Sequence, residues 1–433
     1  MSTPRTAPMT DAQQRRGMRI AYLGQAFGTI QAQILMGSAI GVLLIKHLGG
    51  TDFQAMLLAP LLLSARALQI PISLHVRPSK GKRFMLNCWL VNGLAVAAAI
   101  GITCLPLANQ TKILAMLGLL AVGGVVQMCG LTFWLPLLHD IVPEQMRGRF
   151  FGRLRTIWSA TSFVAMLLAG LFLGEEPELW RFQVVLGGAL GLYLMRNLFI
   201  AHLPEPDLHA DDNYSDWKRY VRHILSRREV IVFCVYFSLL SFAAGFLNTP
   251  LVLYMEHMGF NVSDNVIVFS FRALGQMCTL LVAGWLADRI GTKRVFLIAH
   301  LGLCAVCVAV IGIGFLPLGQ ARLPMLVAMI ASGAMLAMAG VACTAQLFHL
   351  APDHGRAFFM SLAMILVTYG AALSPVLAGA IQEYATDSLS LTIGSLRFDA
   401  FQLMLATAAA GMLLLLIFLA FVEDIRNPRS AST

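Results

Sequence analysis

Two arginines lie in the middle of long apolar stretches of this 433-residue chain, Arg66 in the sequence SARAL and Arg272 in SFRAL. If these stretches cross a bilayer, an arginine at that depth costs at least about 2.5–3.5 kcal/mol, so each must face a wet cavity or a partner. The 22 acidic residues all lie in loops or near the ends of apolar stretches. Two cations without a built-in counterion suggest that the protein binds an anion such as a carboxylate, phosphate or sulfate.

A structural role is the competing interpretation of the two arginines. Their guanidinium groups could instead bind carbonyl oxygens at helix ends, or Gln69 and Gln276, which follow them closely in the chain. A third arginine, Arg196, lies about two turns from the end of its apolar stretch and is predicted to extend its charged head to the membrane surface. The anion hypothesis therefore rests on Arg66 and Arg272 alone.

The composition places these residues in a membrane protein. Hydrophobic residues make up 58% of the chain and charged residues only 12%, and the mean hydropathy is +0.75. Charged residues usually make up about 25% of a soluble domain, and a helix needs roughly 20 apolar residues to cross a bilayer. The sequence predicts an all-α membrane protein with twelve transmembrane helices, at about residues 20–45, 54–75, 84–105, 113–138, 154–173, 181–201, 230–255, 264–286, 294–316, 323–348, 357–382 and 399–421.

The distribution of Lys and Arg predicts the orientation of the chain. With the N-terminus inside, 23 of the 31 Lys and Arg residues fall in cytoplasmic segments and five in outer loops. This bias predicts a multi-pass protein of the plasma (inner) membrane with both termini in the cytoplasm. The formal net charge of +9 follows from this topology, and the sequence carries no signal for nucleic-acid binding.

Short connections join the predicted helices except at the centre of the chain. We expect a cytoplasmic N-terminal tail at 1–19, a six-helix bundle at 20–202, a cytoplasmic central loop at 203–229, a second six-helix bundle at 230–421 and a cytoplasmic tail at 422–433. An amphipathic helix in the central loop is predicted to lie along the cytoplasmic membrane surface, and a solvated linker helix is the alternative. Its apolar face holds Tyr214, Trp217, Val221, Ile224 and Leu225, and its basic face holds Lys218, Arg219 and Arg222.

The two predicted bundles repeat the same landmarks. The sequence KHLG ends the first predicted helix at Gly49, and EHMG ends the seventh at Gly259, 210 residues later. The histidines His139 and His349, which end the fourth and tenth helices, are also 210 residues apart, and the two arginines are 206 apart. Because each repeat holds an even number of helices, the sequence predicts two parallel, pseudo-symmetric bundles.

A further motif lies between the eighth and ninth predicted helices. Residues 284–294 read GWLADRIGTKR, and this sequence resembles the signature loop of the major facilitator superfamily, which joins the second and third helices of a half. The resemblance extends to the twelve helices and the long central loop. It implies a transporter that works by alternating access, in which two six-helix bundles rock about a central cavity. Thr292 stands where a basic residue is usual, and the matching loop of the first half has no acidic residue.

The resemblance implies that this loop is part of a gate. The first glycine of the motif is expected to let two helices approach closely, and the second to permit a tight turn. The carboxylate is expected to dock against the start of the fifth helix, where unpaired amides carry partial positive charge. Alternatively, the carboxylate caps its own turn and the nearby arginines only follow the positive-inside bias. The expected gating residues are Gly284, Asp288, Arg289, Gly291, Arg149 and Arg153.

The resemblance also implies that the first, fourth, seventh and tenth helices line the cavity. Neutral hydrogen-bonding groups with one or two aromatic rings on these helices suit a small polar or amphipathic solute. For any single residue, a hydrogen bond between helices is the competing explanation. Besides the two arginines, the predicted substrate-binding residues are Gln25, Gln31, Trp134, Asn248 and Gln346.

The sequence holds no motif for direct ATP use, no cofactor or metal motif and no catalytic constellation, so we do not predict an enzyme. His300 is the candidate for a proton relay, and a structural role is its alternative. We therefore predict a secondary active transporter of a small solute, with an anion or polar metabolite favoured, that works as a monomer in the lipid bilayer. Efflux of amphipathic, drug-like compounds is the alternative within transport, and a non-transporting receptor or assembly factor is the alternative outside it.

Overall fold

The computed structural model describes residues 9–35, 39–76, 78–143, 146–204, 221–222, 224, 226–351, 356–385 and 389–422. Within these residues eleven helices are long and apolar enough to cross a membrane, and the helix Val262–Ile290, which bends by 50°, brings the number to twelve. The predicted all-α membrane fold is confirmed. We number the crossings as spans 1 to 12.

In the first half, spans 2 and 4 each consist of more than one helix, and span 1 is described on either side of residues 36–38. Span 1 consists of Asp11–Leu35 and Ala39–His47; span 2 of Asp52–Met56, Leu58–Leu63, the 3-10 helix Ser64–Leu68 and Gln69–His75; span 3, after the 3-10 turn Pro78–Lys80, of Gly81–Thr103; span 4 of Asn109–Leu131 and Trp134–Ile141; span 5 of Arg147–Leu173; and span 6 of Leu179–Ala201.

The second half repeats this order. Span 7 consists of Arg228–Gly245 and Thr249–His257, span 8 of Val262–Ile290, span 9 of Thr292–Ile313, span 10 of Leu318–Leu350, span 11 of Arg356–Ala385 and span 12 of Ala400–Leu419. A short antiparallel hairpin, which the sequence analysis did not anticipate, precedes span 12 and pairs Leu391–Ile393 with Leu396–Phe398.

The predicted amphipathic helix of the central loop lies mostly outside the described residues. Tyr214, Trp217, Lys218, Arg219 and Leu225 fall in that undescribed part of the chain. The remaining members, Val221, Arg222 and Ile224, are helical, and Ile224 is buried. The position of this amphipathic helix along the membrane surface therefore stays a prediction.

Because each half crosses the membrane six times, each begins and ends on the same side. We name this the termini side: span 1 begins there, and spans 6 and 12 end there. The opposite side, which we name the far side, holds the turns between spans 1 and 2 and between spans 7 and 8.

The two far-side turns show the internal repeat at atomic detail. Gly49 and Gly259 both adopt a positive φ, of 82° and 92°, which favours glycine because it has no Cβ. In each turn the glycine amide donates a hydrogen bond to the carbonyl three residues back, and the next amide donates to the carbonyl five residues back. These four bonds measure 2.8 to 3.0 Å. The repeated sequence therefore ends both helices with the same hydrogen-bonded cap.

A second repeated contact lies on the termini side. Lys82, near the start of span 3, donates its Nζ to the carbonyls of Ala201 and Leu203 at the end of span 6, at 2.8 and 2.7 Å. Lys293, near the start of span 9, donates its Nζ to the carbonyl of Ala420 at the end of span 12, at 2.9 Å. Each lysine satisfies carbonyls that a helix leaves unpaired at its C-terminus, where a positive charge is also favoured by the helix dipole.

The buried apolar side chains of the described residues form two clusters. The smaller one belongs to the N-terminal half alone and lies in the termini-side parts of spans 1, 3, 4, 5 and 6, around Trp89, Trp134 and Phe150. The larger one extends from the far-side parts of the N-terminal half through the whole C-terminal half. The halves therefore share an apolar core towards the far side, whereas the termini-side core of the N-terminal half is separate.

Candidate functional site

Spans 5 and 8 join the two halves on the far side. The Val262 amide, at the start of span 8, donates a hydrogen bond to the carbonyl of Glu175 in the other half at 3.3 Å. The next residue, Ser263, donates its hydroxyl to the carbonyl of Gly170 at 2.9 Å. Because Gly170 has no side chain, span 8 can approach it closely: a Cβ there would lie 2.8 Å from Cγ1 of Ile267.

Two further far-side contacts close the space between the halves. The far-side part of span 1 packs on that of span 7, and the seven residues from Ala39 to Ile45 are all buried. Span 11 packs on the start of span 2, where a Cβ on Gly379 would lie 3.0 Å from the Cα of Phe53. The far side is thus closed by apolar packing as well as by hydrogen bonds.

On the termini side, Arg155 reaches across from the N-terminal half. Its Nη2 donates a hydrogen bond of 3.2 Å to the Thr344 hydroxyl of span 10. Arg155 is exposed although it lies more than two turns inside span 5, which begins at Arg147. An exposed arginine at that depth is expected beside a water-filled space between the halves.

Arg66 lies where span 2 meets span 11. Its Nη1 donates a hydrogen bond of 2.7 Å to the Thr368 hydroxyl, which itself donates to the carbonyl of Met364 at 2.6 Å. The Nε of Arg66 is buried and has no hydrogen-bond partner among the described residues. The arginine therefore contacts the other half through a neutral group and keeps one donor unused.

Arg272 binds the break in span 7. Its Nη1 donates a hydrogen bond of 3.1 Å to the carbonyl of Leu247, and its guanidinium lies 5.7 Å from the centroid of the Phe269 ring. A carbonyl at a helix end is one of the partners that the competing, structural interpretation of Arg66 and Arg272 predicted. Asn248, predicted to bind substrate, directly follows Leu247 and is half-buried, so the structure brings Arg272 and Asn248 to the same break.

The two predicted glutamines of span 1 differ in their surroundings. Gln25 is half-buried, and its amide donates to the Thr29 hydroxyl at 3.4 Å within the same helix. Gln31 is 1% exposed, and its Oε1 has no hydrogen-bond partner in the ranges that the structure describes. A buried acceptor without a partner is costly and needs an explanation, such as a solute or water that the site holds.

The structure places Arg196 differently from the prediction. Instead of extending to the membrane surface, it is 7% exposed, with its guanidinium 3.7 Å from the ring centroid of Trp89. The rings of Tyr193 and Trp134 lie 5.5 and 5.9 Å away. Because Gly28 leaves room for the arginine stem, the side chain turns into the bundle and is held by cation–π contacts.

Trp134 and Gln346 both lie inside their own halves. Trp134 is 6% exposed and packs edge-to-face on Trp89, with ring centroids 5.8 Å apart. Gln346 is 1% exposed and accepts a hydrogen bond of 3.0 Å from the Thr292 hydroxyl. Thr292 thus connects the loop after span 8 to span 10. A substrate contact at Trp134 or Gln346 stays a prediction.

The two glycines of the loop motif behave differently. Gly291 has a φ of 89° and ends span 8, so the predicted tight turn is confirmed. The close helix approach predicted at Gly284 is wrong, because a Cβ there would meet no atom within 4 Å. The close approach lies deeper, where a Cβ on Gly275 would overlap the carbonyl oxygen of Ile330 and one on Gly333 would overlap that of Arg272.

The charged residues of the expected gate all lie at the surface. Asp288 and Arg289 are exposed at the end of span 8, and the Arg289 guanidinium lies 5.1 Å from the ring centroid of Trp285. Arg149 and Arg153 are exposed near the start of span 5. Arg153 lies close to the Tyr22 side chain of its own half. Docking of Asp288 to the start of span 5 stays a prediction.

His300, the candidate proton relay, is completely buried in the C-terminal half. Its Nδ1 lies 3.1 Å from the hydroxyl of Tyr236, and its Nε2 has no hydrogen-bond partner within the described part of the chain. Tyr236 packs edge-to-face on Phe296, with ring centroids 5.6 Å apart. The histidine therefore lies in an aromatic cluster between spans 7 and 9.

Thr368 is the contact that the sequence analysis missed. It is separated from Arg66 by 302 residues and stands in an ordinary apolar stretch of span 11. No motif distinguishes it from other helical threonines. Its contact with Arg66 depends on how the two halves pack, which a single sequence does not encode in a local pattern.

Comparison with known proteins agrees with this architecture. The sequence profile described as Major Facilitator Superfamily matches residues 81–273 and again residues 250–433. In a comparison with curated protein sequences, nothing matches the chain at a significant level.

Solved structures of transporters have the same fold. The nucleoside transporter NupG, in a mutant form, is 14% identical, with a TM-score of 0.72 over 94% of this chain and 100% of that one. A D-xylose–proton symporter is 12% identical, with a TM-score of 0.68 over 95% and 98% of the two chains. A bacterial homologue of the iron transporter ferroportin, in an inward-facing state, is also 12% identical, with a TM-score of 0.67 over 95% and 98%.

The two profile matches together cover residues 81–433 and overlap at 250–273. The repeated far-side caps, the repeated lysine contacts and the twelve spans are the structural counterparts of that duplication. On this evidence the chain is a multi-pass membrane protein that belongs to the Major Facilitator Superfamily.

Proposed function

We propose that this protein is a secondary active transporter that carries a small solute by alternating access. The main support is the difference between its two sides. On the far side the halves share an apolar core and hydrogen bonds, whereas the termini-side core of the N-terminal half is separate in the described residues. A carrier that exposes a central site to one side at a time needs such an asymmetry. The structure then represents the state that is open to the termini side.

The solute that we favour is an anion. Within the part of the chain that the structure describes, Arg66 and Arg272 contact a hydroxyl, a carbonyl and a ring, and neither forms an ion pair. Neutral acceptors leave the positive charge uncompensated, and an anionic group would compensate it. The unused Nε of Arg66 supplies a further hydrogen-bond donor for such an anion. The Oε1 of Gln31 can only accept, so it would bind a hydroxyl or amine group of the solute and not its charge.

We also propose that the termini side faces the cytoplasm and that the membrane is the plasma membrane. The excess of Lys and Arg in the segments assigned to that side supports this orientation. In this orientation the structure corresponds to an inward-open carrier. Reaction of an introduced cysteine in the N-terminal tail with a membrane-impermeant thiol reagent, before and after the cells are opened, tests the orientation.

A binding screen tests the class of solute. Purified protein in a neutral detergent is heated with organic anions, sugars or cationic drugs, and the melting temperature is recorded. We expect anions to raise the melting temperature, and we expect Arg66→Gln and Arg272→Gln to lose that shift. Anion shifts that survive in both variants would contradict the assignment.

Thr368→Val supplies the matched control, because it removes the hydrogen-bond acceptor of Arg66 and keeps the charge. If Arg66 binds solute, this variant should retain the anion shift. If Thr368→Val loses the shift as completely as Arg66→Gln, then Arg66 acts by holding spans 2 and 11 together.

Uptake into vesicles separates a carrier from a receptor. Anions that stabilise the protein should enter vesicles that contain it and should not enter protein-free vesicles. Repeating the measurement with a pH gradient tests the relay hypothesis for His300, since His300→Gln should then lose the effect of the gradient and keep exchange of solute. Binding without uptake would contradict transport.

A further inference from the structure

A groove lies between spans 1 and 6 on the termini side. It encloses about 690 Å³, and every residue that lines it belongs to these two spans or to His202 directly after span 6. No described residue of the C-terminal half lines it, so the groove is formed within the N-terminal half and not between the halves. It is therefore separate from the proposed solute path, and its occupant does not depend on whether the protein transports.

The mouth of the groove carries three positive charges. Arg15, Arg16 and Arg19 lie in the first turns of span 1, line the groove and are exposed. Within the described residues none of the three forms an ion pair with a carboxylate. The guanidinium groups therefore supply a set of hydrogen-bond donors that form no ion pair with an acidic side chain in the part of the chain that the structure describes.

The wall below the arginines is apolar. Leu23 lies one turn deeper than Arg19 and is 47% exposed, and Leu198 of span 6 is 66% exposed. Beyond them the Phe27 and Phe199 rings stack with centroids 5.5 Å apart and hold the two spans together. The groove thus passes from charged to apolar along the direction in which a lipid passes from headgroup to acyl chain.

The end of span 6 does not oppose an anion in this groove. A helix C-terminus carries partial negative charge on its unpaired carbonyls. Here the carbonyls of Ala201 and Leu203 accept hydrogen bonds from Lys82, at 2.8 and 2.7 Å. A phosphate near the arginines therefore meets carbonyls whose charge is already compensated.

We propose that this groove binds an anionic phospholipid, with its phosphate at Arg15, Arg16 and Arg19 and an acyl chain along Leu23 and Leu198. Two features together favour a lipid over other occupants: uncompensated cations at the level where headgroups lie, and an exposed apolar wall directly below them. A soluble phosphate would use only the first feature, and a neutral lipid only the second.

Native mass spectrometry of the full chain, released from a neutral detergent, tests the proposal. Equal amounts of phosphatidylglycerol and phosphatidylcholine are added, and the bound lipid is counted. We expect the wild-type protein to retain one phosphatidylglycerol in preference to phosphatidylcholine. The variant Arg15→Gln/Arg16→Gln/Arg19→Gln should lose this preference, with at least a fivefold fall in phosphatidylglycerol occupancy.

Lys80→Gln/Arg83→Gln/Arg294→Gln is the matched control, because it removes three exposed positive charges on the same side outside the groove. It should retain the wild-type preference. A second variant, Leu23→Ala/Leu198→Ala, should also lower phosphatidylglycerol occupancy while leaving all charges in place. Equal melting temperatures of the variants establish that each is folded.

Three outcomes would overturn the proposal. The first is an unchanged preference in the triple arginine variant, and the second is an equal loss in the control triple variant, which would indicate a general charge effect. The third is competition by glycerol 3-phosphate at the same concentration as the lipid, because a site for a soluble phosphate does not need the apolar wall.

Discussion

Arg196 is a cation in the interior of a membrane protein that has aromatic rings where a counterion is usual. It lies over Trp89 at 3.7 Å and near Tyr193 and Trp134, and Gly28 leaves the space for its stem. A desolvated cation over an aromatic face gains about 2 kcal/mol or more from each favourable contact. The arrangement therefore links spans 1, 3, 4 and 6 through one side chain, which is a structural role.

Gly28→Ala should destabilise the protein, because the new methyl group overlaps the Arg196 side chain. Overpacking of this kind costs typically about 1–3 kcal/mol in the free energy of unfolding. Denaturation of the purified protein in detergent measures the loss. In a protein that already carries Arg196→Ala, the further change Gly28→Ala should cost less free energy of unfolding than it costs in the wild type. The side chain that the new methyl group overlaps is then absent.

Gly187→Ala is the control for this prediction, since a Cβ at Gly187 in span 6 meets no atom within 4 Å. It should change the stability little. If Gly28→Ala is as stable as Gly187→Ala, the close contact between span 1 and Arg196 does not contribute to stability.

At the scale of elements, span 8 combines a tight helix contact with an open stretch. At Gly275 its backbone touches span 10, and nine residues later, at Gly284, there is open space. Both positions are glycines in the same helix, so the intrinsic effect of alanine on the helix is similar at the two positions. Only the packing differs.

Gly275→Ala should therefore destabilise the protein strongly, whereas Gly284→Ala should be neutral or slightly stabilising. The added methyl group at Gly275 overlaps the backbone of Ile330, which cannot move as a side chain can. The melting temperatures of the two single variants in the same detergent test this. Similar melting temperatures would show that spans 8 and 10 are not in close contact.

Patterns along the chain were sufficient for the number of spans, but not for all of their ends or for contacts between helices. Span 1 begins at Asp11 and span 5 at Arg147, whereas the predicted starts were about residues 20 and 154. Apolar length predicts the twelve spans, and the repeated KHLG and EHMG sequences predict the caps at Gly49 and Gly259. Which glycine lets two helices touch depends on what lies opposite, so Gly284 was assigned wrongly and Gly275 was not found. Arg196 turned inward because its ring partners come from spans 3, 4 and 6 together.

The sequence predicted which residues belong to the candidate site, but not which groups their side chains contact. Arg66 and Arg272 stand out as charges in apolar stretches, and both reach contacts important for the packing of spans. Their acceptors, the Thr368 hydroxyl and the Leu247 carbonyl, have no sequence signature. A backbone carbonyl is available at every residue, and only the break in span 7 frees this one.

At the scale of the whole molecule, the far side holds the two halves together. The shared apolar core, the Val262–Glu175 hydrogen bond and the Phe53–Gly379 contact all lie there. In alternating access these contacts must separate in each cycle, while contacts form on the termini side. A covalent link on the far side should therefore stop the cycle.

Phe53→Cys/Gly379→Cys should form a disulfide under mild oxidation, because the two backbones are close enough for one. We expect solute uptake into vesicles to stop when the bond forms and to recover after reduction, while binding from the termini side persists. Each single-cysteine variant serves as a control for oxidation of the native cysteines. Full uptake with the bond in place would contradict rocking of the two halves.

The paired contacts of Lys82 and Lys293 have a mechanical consequence. Each joins the third and sixth spans of its half at the membrane surface, and these four spans are unbroken helices. Spans 4 and 7, in contrast, are each interrupted, at residues 132–133 and 246–248. We therefore expect spans 3 and 6, and spans 9 and 12, to move as rigid pairs. Changes of shape within a half should concentrate at the interruptions of spans 4 and 7. Asn248 lies at the interruption of span 7, so a change of shape there would move this residue while the contact between spans 9 and 12 is kept.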